Sequence, residues 1–395
     1  MHIAFLTEEF IKNPDDLKRS FSGISYGMIS ELRAQGHEVT VVAAIQPGPR
    51  ALVTTKALAL LGRTVYRGKN LKSIYHPAVL SGLATSASRR VDGGGFDLLF
   101  THSSLIAARM NTDIPVVLWR GAHYAALTTG YRGYQNLPPV AERWAHEQER
   151  AAMSHAAMNI FAADAACTSA HDIYNIPVAK LKVIPYGANL HPAPETQAVM
   201  HNIGCKRNDG VINFLFFGVD WYRKGGDRVV HALTRLALMG LRVHLDIVGV
   251  DGAEVETVPG FTTINHGYLH KSNPEQFKTM NHILKQAHFL IHPARGEAFG
   301  VVLCEAFACG IPVLATPVDG LPTIVDDNVN GILIDEPFDP EVVAARLMPI
   351  IANMEAYRKL AYGALNKYQR RLNWATAIQE FVATVEPLVT SRTPT

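Results

Sequence analysis

Short apolar runs recur along the chain, most of them closed by glycine, proline or small polar residues and followed by positions of helical period. In the first half the runs at 2–7, 38–44, 96–100, 115–118, 158–162 and 181–184 predict strands. In the second half the strands are predicted at 211–217, 243–248, 263–270, 287–291, 312–315 and 331–334. Between them apolar residues return three or four apart, as at Met28, Ile29 and Leu32 before Gly36, or at Val229, Val230 and Leu233. Strand, glycine-bearing loop, helix and strand in that order make βαβ units, so the pattern predicts an α/β protein with parallel sheets. The run at 211–217 is almost wholly apolar, the signature of a strand buried on both faces. Residues 124–139 read as a Gly- and Tyr-rich loop, 140–155 as a surface helix, and 340–372 and 374–388 as long C-terminal helices. The polar, proline-containing stretch 189–210 marks a domain boundary. It gives a first domain at 1–190, a linker at 191–210 and a second domain at 211–373.

Composition narrows the class. With 395 residues, 48% hydrophobic and 18% charged, the chain can build two cores of ordinary size. A formal charge of +2 argues against a nucleic-acid partner. Cys167, Cys205, Cys304 and Cys309 lack the close-paired spacing of a zinc knuckle or a disulfide framework, which suits a reducing compartment. No apolar run approaches the length of a membrane span, and the opening MHIAFLTEEF turns acidic where a signal peptide would be basic and then apolar. A cytoplasmic protein, peripheral at most to an inner membrane face, is expected. One stretch stands apart: between Arg50 and Arg90 lie Lys56, Arg63, Arg67, Lys69, Lys72 and Arg89, with no Asp or Glu. Mixed with Leu52, Leu58, Leu60 and Leu61, these cations suit an anionic membrane or acceptor, or simply a solvated cover over one side of the first domain.

The chemistry concentrates at IHPARGEAFGVVLCEAFACG, residues 291–310, where a strand runs through a glycine-bearing turn into a helix. Glu297 lies in the turn and Glu305 inside the helix, with Phe299, Gly300 and Val301 between them. A helix N-terminus with adjacent glycines accepts phosphate or another anion. A carboxylate beside such a site makes sense where it faces hydroxyls, and a phosphorylated sugar carries both groups. Glu305 sits among Val302, Leu303, Ala306 and Phe307, where an unpaired carboxylate would be costly. Arg223 and Lys224 precede Gly225 and Gly226 at another helix start, bringing cations, free backbone and N-terminal amides together. The order GxxxxGK[ST] is absent, which excludes an ordinary P-loop. Gly23 stands at the first strand-to-helix turn, either as a place for phosphate or sugar to approach the backbone or only as the turn itself. Beyond the carboxyl ends of two strands stand His102 and His123, where α/β sheets collect ligands. The structural reading is preferred for His102; ligand contact or acid/base work and a structural hydrogen bond stand level for His123. No histidine pair has a zinc-motif spacing, so no metal site is expected.

EAFGVVLCE at Glu297 to Glu305, RKGG at Arg223 to Gly226 and IPYGAN from Ile184 resemble the retaining, nucleotide-sugar-dependent glycosyltransferases of family 4. That resemblance covers nearly the whole chain in organisation. It implies the GT-B fold, an α/β architecture of two Rossmann-like domains facing across a deep cleft, with 374–395 crossing back onto the first, acceptor-side domain. It implies that Glu297 contacts donor-sugar hydroxyls, Glu305 the ribose hydroxyls and Lys224 the diphosphate. Phe299, Gly300 and Val301 would offer backbone contacts alongside, and Gly23 would approach the donor phosphates or acceptor. Three positions depart from the family pattern. Val219 stands where many members carry a second diphosphate-binding Arg, a task Arg223 could assume. The usual histidine falls near Gly121, two residues before His123, and Asn189 replaces the usual Asp.

The resemblance further implies a hexosyltransferase that moves a sugar from a nucleoside diphosphate sugar to an acceptor hydroxyl, with retention and without metal or other cofactor. Glycan, glycolipid or cell-surface polysaccharide synthesis is the implied setting, and a lipid-linked acceptor or membrane contact is among the implied partners. Two alternatives remain open: a nucleotide-sugar-binding GT-B protein that has lost catalysis, or a GT-B epimerase acting on a nucleotide sugar. The sequence leaves the nucleotide, sugar, acceptor, linkage and oligomeric state undetermined.

Overall fold

The computed structural model describes residues 1–12, 14–17, 23–66, 69, 71–206, 210–253 and 255–390, leaving aside the side chains of 14, 15, 50 and 63. The chain divides into two units, one formed by Met1–Pro185 with Ala377–Thr395 and the other by Tyr186–Thr376. Each unit is built on one parallel six-stranded sheet.

In the first unit the strands are β1 (His2–Leu6), β2 (Glu38–Val42), β3 (Leu98–Thr101), β4 (Val116–Arg120), β5 (Met158–Phe161) and β6 (Leu181–Val183), in spatial order β2-β1-β3-β4-β5-β6. The register sets Phe5 beside both Val41 and Phe100, and Leu118 beside Asn159. Leu6, Leu99, Leu118 and Phe161 join Leu83 and Ala87 of the helix Pro77–Val91 and Met153 of the helix Pro139–His155 in one core. The C-terminal helix Trp374–Thr390 contributes Phe381, which is fully buried and stacks on Trp119 at 5.2 Å between ring centroids. The Trp119 indole N–H donates to the Ile184 carbonyl at 3.0 Å, so the ring is satisfied as well as packed.

The second unit holds β7 (Ile212–Phe217), β8 (Val243–Val248), β9 (Phe261–Asn265), β10 (Phe289–His292), β11 (Val313–Ala315) and β12 (Gly331–Leu333), in order β12-β11-β10-β7-β8-β9. Counted within the unit this is 3-2-1-4-5-6, the doubly wound arrangement, with its direction of winding reversing between β7 and β10. Phe214, Phe216, Leu245 and Ile291 pack against Val229, Leu233 and Leu236 of the helix Gly226–Leu238.

All twelve predicted strands form, although the segment expected at 263–270 pairs earlier, at Phe261–Asn265, and leaves the sheet before Gly267. Three other expectations change. Within the stretch read as a linker, 191–210, Thr196–Cys205 is helical, and Val199 and Ile203, one turn apart, are buried in the second core. The run 340–372 divides into Pro340–Ala352 and Met354–Arg371, because the Asn353 side chain accepts the Glu355 N–H at 3.0 Å and starts a new helix. The loop expected at 124–139 contains the helix Tyr124–Gly130, capped by His123. The last five residues of the stretch 374–395 lie outside the described residues.

The Phe381 contacts yield a stability prediction. Phe381→Ala removes a fully buried ring from Trp119 and Phe100 and should cost about 3–5 kcal/mol. Chemical denaturation of the full chain measures this; a loss below about 1 kcal/mol would mean that residues 377–390 do not complete the first core.

Candidate active site

In the second unit the residues that follow β7 and β10 meet at the point where the sheet's order reverses, the place where open α/β sheets bind ligands. The turn after β7 carries Arg223 and Lys224; the turn after β10 carries Glu297. The Lys224 ammonium donates to Glu297 Oε2, and both side chains are almost completely buried. Arg223 approaches the same oxygen at 3.8 Å. The two turns are tied together along the backbone: Arg295 N–H donates to the Arg223 carbonyl at 2.7 Å, and Arg223 Nη1 donates to the Gly296 carbonyl at 2.9 Å. Asp220 holds the Arg223 backbone N–H at 3.1 Å and its Nε at 3.3 Å.

The glycines have a specific task here. Gly225 has φ +78° and its Cα faces the Pro293 carbonyl so closely that a Cβ could not fit; Gly226 meets the Trp221 ring in the same way. This is the physical content of RKGG: the helix Gly226–Leu238 can begin against the neighbouring turn only if two side chains are missing. Arg295 reinforces the junction with a two-pronged ion pair to Asp227, at 2.7 and 2.6 Å, while its guanidinium lies over the Tyr222 ring.

Around Glu297 the structure places groups that the sequence did not single out. His292, at the end of β10 and fully buried, has Nε2 3.2 Å from Glu297 Oε2. Burial first, then Lys224 and Arg223, hold its imidazole well below the ordinary pKa, so the ring is neutral and donates through Nε2–H. The Glu297 backbone N–H donates to Asp319 at 2.9 Å. Asp319 sits in the left-handed region at φ +46°, and burial raises its carboxyl pKa. Burial, then the Arg223 charge, brings the Lys224 ammonium down to about 7.

Phe299, Gly300 and Val301 form the start of the helix Val301–Ala308. Gly300, at φ +100°, turns the chain where a Cβ would press on Leu321. Glu305 lies inside this helix, almost completely buried, and accepts from Lys271, whose Nζ also donates to the Asn189 carbonyl at 3.3 Å. The carboxylate that looked costly from sequence therefore has a cation. Asn189, noted as a replacement, accepts the Trp374 indole N–H at 3.0 Å through its side chain. Lys271 has no local sequence signature and reaches the site by folding alone, whereas Asn189 ends the IPYGAN motif.

Gly23 and His123 belong to the first unit. Gly23 is buried, with φ +87°, and caps the helix Ile24–Ala34. His123 lies beyond β4, away from the β1/β3 reversal of that sheet. Its Nδ1 accepts the Ala126 N–H at 3.3 Å and its Nε2 meets the Ser169 hydroxyl at 2.8 Å; that hydroxyl donates in turn to the Ala165 carbonyl at 2.8 Å. Both ring nitrogens are thus engaged inside the fold. Burial and the nearby Arg120 bring the imidazole pKa down to about 4. Of its two readings, these contacts favour the structural one. His102 has a similar character, with Nδ1 against the Trp119 carbonyl at 2.5 Å and its pKa brought down to about 4 by burial. At the last position of β4, Arg120 pairs with Glu149 of the helix Pro139–His155, both buried and 2.7 Å apart. Among the described residues no group of three or more His, Cys, Asp or Glu side chains could hold a metal ion.

Residues 206–367 match the family model described as Glycosyl transferases group 1, and residues 25–191 match the one described as Glycosyltransferase Family 4. The chain belongs to the glycosyltransferases that join these two regions, and its fold is GT-B. It is similar to sucrose-phosphate synthase of Thermosynechococcus elongatus, at 17% identity and a TM-score of 0.64 over 99% of this chain and 100% of that one. It is also similar to HepE of Anabaena in complex with UDP and glucose, at 16% identity and a TM-score of 0.59 over 98% and 99% of the two chains. A curated relative is the D-inositol 3-phosphate glycosyltransferase of Xylanimonas cellulosilytica, 29% identical over 218 residues, 52% of this chain and 51% of that protein. The chain spans about half the length of the curated relatives it matches.

The packing of Gly225 predicts a severe local effect. Gly225→Ala combines a strained left-handed backbone with a clash against Pro293 and should destabilise the second unit by about 2 kcal/mol or more. A melting curve of that variant indistinguishable from the parent would show that the two turns are not held together as described.

Proposed function

We propose that this protein transfers a sugar from a nucleoside diphosphate sugar to an acceptor hydroxyl with retention of anomeric configuration. The observation that carries this reading is the meeting of Lys224, Arg223 and Glu297 at the β7/β10 reversal of the second sheet. Lys224 and Arg223 neutralise the donor diphosphate, and the amides near Gly300 and Val301 add to them. Glu297 holds hydroxyls of the donor sugar, while Glu305 and Lys271 hold the ribose. The bond between the anomeric carbon and the diphosphate oxygen breaks as the acceptor oxygen bonds to that carbon on the same face. The acceptor's proton passes to the departing diphosphate. The cations supply the charge stabilisation, so no metal is required in this reading. The first unit takes the acceptor, with Gly23 near it or near the donor phosphates; a lipid-carried acceptor suits the acid-free stretch 50–90. The binding of UDP and glucose by the similar HepE makes a uridine nucleotide the first donor to test.

Two observations favour the reading of a nucleotide-sugar binder without catalysis. Val219 is exposed where many family members carry Arg, and His123 is engaged within the fold. Calorimetry that finds donor binding, together with no transfer and no donor hydrolysis across an acceptor panel, would establish it. The primary test is a thermal-shift screen of nucleotide sugars followed by mass detection of product. Absence of stabilisation by every nucleotide sugar would remove the donor site from consideration.

Two kinetic predictions separate the roles. Glu305→Ala should raise the donor KM roughly tenfold or more with a smaller change in kcat, as expected for a lost charge-assisted hydrogen bond. Lys224→Ala should lower kcat by about two to three orders of magnitude, with melting curves distinguishing this from unfolding caused by the stranded Glu297. Unchanged kinetics in both would sink the assignment. The pH dependence has a defined sign. A bound diphosphate favours the charged ammonium and raises the Lys224 pKa above about 7, so binding takes up a proton. Donor affinity should therefore fall as pH rises above 7, by up to about tenfold per pH unit, and this dependence should vanish in Lys224→Ala. Calorimetric titrations across that range measure both.

A further inference from the structure

The helix Pro49–Thr64 of the first unit presents most of its larger apolar residues on the side that faces away from the protein. Leu52, Val53, Leu60 and Leu61 are all exposed, Val53 at 68% and Leu60 at 64%. At 100° per residue they share one arc with Lys56, which is also exposed. The opposite side carries half-buried Leu58 together with smaller residues: Ala51 is buried, Gly82 of the helix Pro77–Val91 approaches it, and Gly62 lies against Leu71. A helix that folds only against its own protein places its leucines inward; this one keeps Leu58 on the inner side and presents its other larger apolar residues outward. Val65, just past its end, continues the exposed apolar surface.

The charge around this surface selects its partner. Residues 50–90 contain eight Lys and Arg and no acid, in a chain whose formal net charge is only +2. Lys56 rises from the apolar arc itself, and Lys69, Arg89 and Arg90 are exposed. A second copy of the chain, meeting this face by two-fold symmetry, would bring like charges together. An anionic lipid surface accepts both features at once, taking the apolar side chains at the headgroup boundary and the cations among its phosphates. No helix among the described residues is long and apolar enough to cross a membrane. We propose that the outer face of Pro49–Thr64 docks the protein on an anionic bilayer surface, lying in its plane.

The experiment is flotation of the full chain with two kinds of vesicle, phosphatidylcholine alone and phosphatidylcholine with about one third phosphatidylglycerol. Binding should occur on the anionic vesicles, weaken as salt rises, and be far weaker on the neutral ones. The double variant Val53→Ser, Leu60→Ser should lose roughly tenfold or more of that binding. Lys56→Glu, a second variant on the same arc, should weaken it as well; both should melt like the parent, since the positions are exposed. Absence of vesicle binding, equal binding to both vesicle types, or binding that the substitutions do not change would overturn the proposal. So would a dimer in sedimentation that the same substitutions disperse, which would assign the face to a second copy. The readout is lipid binding, so its failure leaves the transferase reading standing, and failure of the transferase reading leaves this one standing.

Discussion

The contact between the Lys224 ammonium and the Glu297 carboxylate governs the second unit's site. A buried ion pair is a poor source of stability in itself, because removing two charges from water consumes most of what their attraction returns. Here neither charge is left to the pair alone. His292 donates to the carboxylate, Arg223 stands 3.8 Å from it, and the surrounding backbone is closed by hydrogen bonds between the two turns. The pair is therefore held by a frame that exists independently of it: Gly225 against Pro293, Gly226 against Trp221, Arg295 on Asp227. A frame of this kind fixes charges in place before a ligand arrives, which is what electrostatic stabilisation of a leaving group requires.

Much of this could be read from the chain. Strands buried in parallel sheets are continuous apolar runs and were legible as such, while the edge strands Glu38–Val42 and Phe261–Asn265 mix polar positions and the second of them was placed two residues late. The carboxylates at Glu297 and Glu305 and the cations at Arg223 and Lys224 stood out because they interrupt patterns that apolar or turn residues would otherwise complete. What was not legible is the set of partners. Lys271 reaches Glu305 across 34 positions, and Trp374 reaches Asn189 across 185. No local spacing encodes such contacts; they follow from the order of strands in the sheet. Helix breaks at Asn353 and the helix at Thr196–Cys205 were missed for a different reason, that a polar residue or a short apolar pair has several local meanings until tertiary packing selects one.

The histidines illustrate how topology sharpens a rule that is too coarse. Position beyond the carboxyl end of a strand made both His102 and His123 candidates, and both prove to be neutral rings engaged inside the fold. His292 occupies the same kind of position and was passed over, because it is hidden in the apolar run that forms β10. For His123 the difference is the strand: β10 borders the reversal of its sheet, whereas β4 does not. His102 follows β3, which does border a reversal, and is set apart instead by its contact with the Trp119 carbonyl inside the fold.

Glu305 carries the argument one step further. It lies on the buried side of a helix rich in apolar residues, a position where Gln or Leu would avoid the need for any countercharge. The fold instead provides Lys271, whose side chain is about one third exposed and so reaches the carboxylate from the solvent side. Such a cation screens the acid while no ligand is bound, and it can share the carboxylate with ligand hydroxyls without being buried itself. The acid thus keeps its accepting oxygens available at a modest desolvation cost. An arrangement of that kind is what the proposed ribose-binding role of Glu305 requires, in the helix that Gly300 begins.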